Sequence, residues 1–103
     1  MKIGITSDHR GFKLKTELYQ KLKMQYDILD CGCDSSLSVD YPNYAFNLGE
    51  KVNSHILDFG IAICGSGIGI SIACNKVKGI RAARVVTIED VYETRKDNDA
   101  NII

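Results

Sequence analysis

The sequence predicts an α/β fold built on a parallel, doubly wound sheet, and three observations carry that reading. Apolar segments of strand length alternate with segments of helical periodicity along the 103 residues, as repeated β-α units do. Residues 57–64 are a near-continuous apolar run, which suits a strand buried on both faces better than an alternating edge strand. That run leads directly into Gly65-Ser66-Gly67-Ile68-Gly69, a glycine-rich turn at a strand-to-helix junction, where open parallel sheets hold their ligands.

Residues 2–7 read as an apolar first strand. A helix over 12–23 follows, with Leu14, Leu18 and Leu22 on one face at i, i+4, i+8. Residues 27–31 make a short second strand, and a polar, serine-rich loop then runs to Pro42, a favoured first residue of a helix, so that 44–52 is helical. After the strand at 57–64 comes its crossover helix over 68–76, then a fourth strand over 80–86. A charged helix over 88–96 carries Glu89, Glu93 and Lys96 at surface spacing, and 101–103 begins a fifth strand. No internal repeat, linker or low-complexity segment divides the chain, so residues 1–103 read as one domain.

The size supports one domain with a real core, near the low end for a sheet covered on both faces, so extra burial from a partner subunit is expected. Lysine plus arginine number 13 and aspartate plus glutamate number 13. That balance points away from nucleic acid and membrane surfaces and towards a small ligand. Four cysteines stand at 31, 33, 64 and 74 in a chain whose first residues begin a strand rather than a signal peptide, which predicts a reduced, cytoplasmic protein. No apolar run approaches the roughly 20 residues that span a bilayer. Cys31-Gly32-Cys33 lacks the spacer and the second pair of a zinc site and reads as two buried thiols at a strand end.

The glycine turn is neither a dinucleotide fingerprint, since its third glycine comes one residue early, nor a P-loop, since no Gly-Lys-Ser/Thr follows. A plain packing turn is the bland alternative, but each glycine costs backbone entropy that a simple connection need not incur. Cys64 lies just before a helix N-terminus, where partial positive charge favours thiolate, as suits a base or nucleophile. Taken alone, a cysteine ending a buried strand is more often an inert small hydrophobe. Asp8-His9-Arg10-Gly11 ends the first strand and faces the Cys64 turn if the first and third strands are neighbours. An acceptor, an imidazole and a guanidinium together suit hydroxyls and a phosphate; otherwise Asp8 is an N-cap, with His9 and Arg10 on the surface.

Five ordered motifs give these residues a context: Ser7-Asp8-His9-x-Gly11-x-x-x-Lys15, Val39-Asp40-Tyr41-Pro42-x-Tyr44-Ala45, Ile63-Cys64-Gly65-Ser66-Gly67-Ile68-Gly69-x-Ser71-Ile72-Ala73-x-Asn75-Lys76, Gly79-Ile80-Arg81-Ala82 and Asn98-Asp99-Ala100-Asn101. From residue 2 to the last, the chain resembles the ribose 5-phosphate isomerase B family, which includes the allose and galactose 6-phosphate isomerases. The resemblance implies a five-stranded, Rossmann-like parallel sheet in a three-layer α/β/α sandwich. It also implies a homodimer or higher homo-oligomer with shared active sites, and aldose-ketose isomerisation of a phosphorylated sugar without metal or organic cofactor. By the same resemblance Cys64 is the base that moves a proton between C1 and C2, and Ser66 orients the substrate. The turn from Gly65 through Gly67 and Ile68 to Gly69 supplies N–H donors, Asp8, His9 and Tyr41 contact the sugar phosphate, and Asn98 reaches a neighbouring active site.

Two departures qualify the resemblance. The ring-opening histidine that usually precedes Asn-Asp-x-Asn is replaced by Asp97, which as an ionised carboxylate can serve as a base but is a poor acid at pH 7. Family members also continue past residue 103 into helices that carry phosphate-binding arginines, leaving Arg10, Arg81 and Arg84 as candidates to compensate. The expected function is interconversion of ribose 5-phosphate and ribulose 5-phosphate or a related pair. The alternative is a shortened paralogue that binds a sugar phosphate, or pairs with a full-length subunit, with little catalysis of its own.

Overall fold

A computed structural model describes residues 1–35, 37 and 40–103; Val39 of the second motif lies outside them. Its elements run β1 (Lys2–Ser7), α1 (Phe12–Leu22), β2 (Asp27–Asp30), α2 (Tyr41–Asn53), β3 (Phe59–Ile63), α3 (Ile68–Asn75) and α4 (Ile88–Asp97). The three strands are parallel in the order β2-β1-β3. β1, with Ile3 to Ser7 all buried, takes the middle because it pairs with both neighbours.

The sheet has three strands among the described residues, not the five expected. The segment 101–103 lies beside β3 and 80–86 beside it in turn, through single bridges, Gly60 to Ile102 and Ile102 to Ala82. The Asn75 side-chain amide donates to the Ala82 carbonyl and accepts the Ala82 N–H, both at 2.8 Å, on the edge away from Ile102, whose main-chain bonds go to the Arg81 carbonyl and the Ala83 N–H. β3 is therefore flanked by β1 on one side and by Ile102 on the other, as its apolar run predicts.

Two helical layers cover this sheet. Leu48 of α2 seats its side chain over Gly4 and Gly60, which are register partners in β1 and β3. A Cβ on Gly60 would stand 3.1 Å from a Leu48 methyl group, so two adjacent glycines make the dimple that lets α2 approach. The core on this side joins Ala45, Leu48, Val52, Leu57, Ile70, Ala73, Cys74, Ile80 and Ile102. On the opposite face α1 packs on β1 and β3, and the Arg95 guanidinium of α4 stacks 5.1 Å from the Phe59 ring centroid.

One expectation for α1 is corrected. Leu14 is 50% exposed, whereas Lys15 is 1% exposed. Lys15 turns inward because its ammonium finds three acceptors there, both carboxylate oxygens of Asp30 at 2.8 and 2.9 Å and the Cys33 carbonyl at 2.6 Å. A buried ammonium is tolerated when its donors are satisfied in this way.

Candidate active site

The parallel β1–β3 pairing brings the two candidate loops together at the carboxyl ends of their strands. The Asp8 N–H donates to the Ile63 carbonyl at 3.0 Å. A Cβ on Gly11 would stand 2.7 Å from the same carbonyl oxygen, so only glycine lets α1 begin this close to β3. Asp8 Oδ1 accepts the backbone N–H groups of Arg10 and Gly11, each at 2.9 Å. That oxygen thus shapes the loop, and His9 is held half-buried on it.

Cys64 follows β3, and its sulfur accepts the Gly67 N–H at 3.1 Å. Gly67 is the N-cap of α3 with φ of 75°, a left-handed conformation that an L side chain adopts only at a cost. Ser66 Oγ accepts the Ile68 N–H at 3.1 Å, which satisfies one of the donors a helix start leaves over. Gly69 is the floor under Tyr41: a Cβ there would meet the phenol oxygen at 2.9 Å. Tyr41, Ser66, Cys64 and the glycines are thereby gathered at one helix start.

Cys64, Gly65, Ser66 and Gly67 open onto a cavity of about 360 Å³ whose deeper wall is apolar, with Leu18, Ile61 and Ile103. Its volume suits a small metabolite. Cys74 lines it as well, but burial, and secondarily the nearby Cys64 charge, pushes the Cys74 thiol up to about 12. Cys31 is also pushed up, mainly by burial. Cys64 is partly buried against the core, with the Gly67 amide on its sulfur.

Asp97 and Asn98 are not brought to this cavity within one chain. Asp97 is the last residue of α4 and exposed, and Asn98 lines a second hollow with Asn75, Arg81 and Thr94. Arg81 Nε donates to the Asn98 carbonyl at 2.6 Å, so Arg81 pins the end of α4. Arg84 is different: its Nε donates to the Ser66 carbonyl at 2.8 Å. Spacing gives no hint of that contact, because Arg84 reaches the turn only through the fold of 80–86 beside Ile102. No helix is long and apolar enough to cross a membrane among the described residues.

The family model described as Ribose/Galactose Isomerase matches residues 3–103. The chain belongs to this family. The ribose-5-phosphate isomerase B of Escherichia coli is 41% identical over 103 residues, covering 99% of this chain and 69% of that protein. A Clostridium thermocellum ribose-5-phosphate isomerase B superposes with a TM-score of 0.97 at 50% identity, covering 99% of this chain and 70% of that one. The Mycoplasma genitalium enzyme with bound ribulose-5-phosphate superposes with a TM-score of 0.92 at 39% identity, covering 98% and 68%.

Proposed function

We propose that the chain interconverts a phosphorylated aldose and its ketose, with ribose 5-phosphate and ribulose 5-phosphate as the substrate pair. The observation that carries this reading is the Cys64 sulfur, fixed by the Gly67 N–H at 3.1 Å on a turn that adjoins the Asp8–His9 loop. In the forward step the Cys64 thiolate takes the proton from C2 of the open-chain aldose. The C–H electron pair forms the C1–C2 double bond, and the carbonyl pair moves onto O1 to give the enediolate. Return of the proton to C1, with transfer of the O2 proton to O1, gives the ketose. One proton moves between adjacent carbons with no net redox change, so the step calls for no electron acceptor.

Amides directed at the developing oxyanion lower the barrier because they need no reorganisation. Gly65, Ser66 and Gly69 are the residues whose N–H groups take that role, with Ser66 Oγ and Tyr41 orienting the sugar and Asp8 and His9 meeting its hydroxyls. Asp97 is assigned to ring opening, as a base. A homodimer with shared sites is part of the same reading: Ile68 and Ile72, 51% and 56% exposed on α3, leave an apolar stripe beside Tyr41 that suits a second copy, and Asn98 then serves the neighbouring site. The free cysteines suit a reducing compartment such as the cytoplasm.

Binding without turnover is the second reading, favoured by the exposed Asp97 where a proton-donating imidazole is expected. Steady-state assay of ribose 5-phosphate with wild type and Cys64→Ala separates them. Turnover abolished by the substitution supports the isomerase; ligand binding with no turnover of any pentose or hexose phosphate supports the second reading.

A further inference from the structure

The peptide unit between Ser66 and Gly67 is bonded at both of its ends. The Gly67 N–H donates to the Cys64 sulfur at 3.1 Å, and the Ser66 carbonyl accepts from Arg84 Nε at 2.8 Å. A peptide is one planar, conjugated group. A charged donor on its oxygen therefore draws density from its nitrogen, and the N–H becomes a stronger donor in turn. Arg84, from the segment beyond the Ala82 bridge, is linked in this way to the sulfur through a single amide.

Packing at Gly67 supports the arrangement. A Cβ there would stand 3.3 Å from Cγ and 3.7 Å from Nε of Arg84, so the arginine stem lies along the glycine, and Arg84 lines the cavity with Cys64, Ser66 and Gly67. Two other charged groups lie near. Asp90 is within electrostatic reach of Arg84, but its Oδ2 accepts the amides of Val86 and Thr87 at 3.0 and 3.2 Å, and among the described residues Arg84 takes part in no ion pair. Arg10 lies over Gly65, with Nη1 3.0 Å from a Cβ placed there. Arg84 is exposed, so water screens its charge, and its effect on the sulfur travels through the bond to Ser66 rather than through space.

We propose that Arg84 is a positioning residue for Cys64: it holds and polarises the Ser66–Gly67 amide, and that amide holds the sulfur. The consequence for turnover rests on the isomerase reading; the consequence for the amide and the thiol does not. The Gly67 N–H is thereby committed to the sulfur, which leaves the N–H groups of Gly65, Ser66 and Gly69 for the developing oxyanion. Hydrogen bonds in a chain strengthen one another by a modest fraction, and a bond to a charged acceptor is among the stronger ones. Loss of Arg84 is therefore expected to weaken the hold on the sulfur by a factor of about two to four.

The test compares wild type with Arg84→Met, which keeps the stem and loses the donor, and with Arg84→Lys, which keeps the charge but has a methylene where Nε stands. Each is checked for an unchanged thermal melt. The readouts are the Gly67 amide proton in nitrogen-15 NMR spectra, the rate at which iodoacetamide alkylates Cys64 at pH 7, mapped by peptide mass, and kcat and KM for ribose 5-phosphate. For both variants the proposal predicts an upfield shift of the Gly67 proton, since a weaker hydrogen bond deshields it less. It also predicts Cys64 alkylation slowed about two- to fourfold, since the thiolate is the reacting form, and kcat lowered by a similar factor with KM unchanged. An unmoved Gly67 proton and an unchanged alkylation rate in Arg84→Met overturn it. Full recovery in Arg84→Lys also overturns it and assigns the effect to charge alone, and a raised KM at constant kcat overturns it by placing Arg84 on the substrate. A chain that turns over no sugar but shows the amide shift and the slower alkylation keeps the role of Arg84 and discards the isomerase reading. Turnover abolished by Cys64→Ala and untouched in both Arg84 variants does the reverse.

Discussion

Replacing Lys15 with Met removes the ammonium that joins α1 to the end of β2 while keeping the apolar stem. Three interactions go: both contacts with Asp30 and the 2.6 Å bond to the Cys33 carbonyl. Rupture of a fully buried pair costs about 3–5 kcal/mol. Here the Asp30 side chain is 39% exposed, so water recovers part of its solvation and screening reduces the pair's contribution to about 1–2 kcal/mol. The Cys33 carbonyl loses a charged donor at about 1–2 kcal/mol, for a total of roughly 3 kcal/mol. In a domain of this length each kcal/mol moves Tm by about 4–8 °C, so Lys15→Met lowers Tm by roughly 12–24 °C. The reverse substitution is the sharper comparison. Asp30→Asn strands an ammonium whose side chain is only 2% exposed, so it destabilises at least as much as Lys15→Met, and urea melts of the two singles and the double give a strong coupling between them. A loss below about 1 kcal/mol for Lys15→Met, or additive singles, refutes this account.

Gly67→Ala forces a methyl group onto a residue with φ of 75° and brings it 3.3 Å from Arg84 Cγ. It is expected to cost about 1–2 kcal/mol in a chemical melt and to lower kcat/KM further by turning the amide away from Cys64; a neutral result would show that the turn tolerates another path. Cys74 makes an alkaline prediction. Its thiol stands at about 12 in the fold against an ordinary 9.0, so between those values the unfolded chain has lost a proton that the folded chain keeps. Stability therefore falls as pH rises from 9 towards 12, at up to about 1.4 kcal/mol per pH unit, and Cys74→Ala flattens that limb. An unchanged slope in the variant assigns the alkaline loss to another group.

The sequence was most legible where the determinants are local. The apolar run before Cys64 and the glycines after it identify a buried strand and a site-building turn, because burial on both faces and a left-handed residue each leave a composition signal. Asp8 is not the N-cap of α1, which is Gly11 with no side-chain cap bond; its Oδ1 instead accepts the amides of Arg10 and Gly11 in the turn before the helix. Lys15 was hidden, since its partners Asp30 and Cys33 come from another element and periodicity placed Leu14 in its stead. The fourth and fifth strands were overextended, because a hydrophobic pattern does not show how many main-chain bonds a segment makes, and 80–86 and 101–103 contribute single bridges. The bond from Arg84 to the Ser66 carbonyl was invisible in the spacing, being a product of tertiary structure alone.

The most direct test of Cys64 as the proton-transferring base is isomerisation of ribose 5-phosphate in deuterium oxide, followed by proton NMR of the ketose. The account predicts solvent deuterium at C1 of ribulose 5-phosphate with wild type, and no isomerisation and no exchange at C2 with Cys64→Ala in a sample that melts like wild type. Exchange and turnover that persist in Cys64→Ala would contradict it and move the base to another group at the turn.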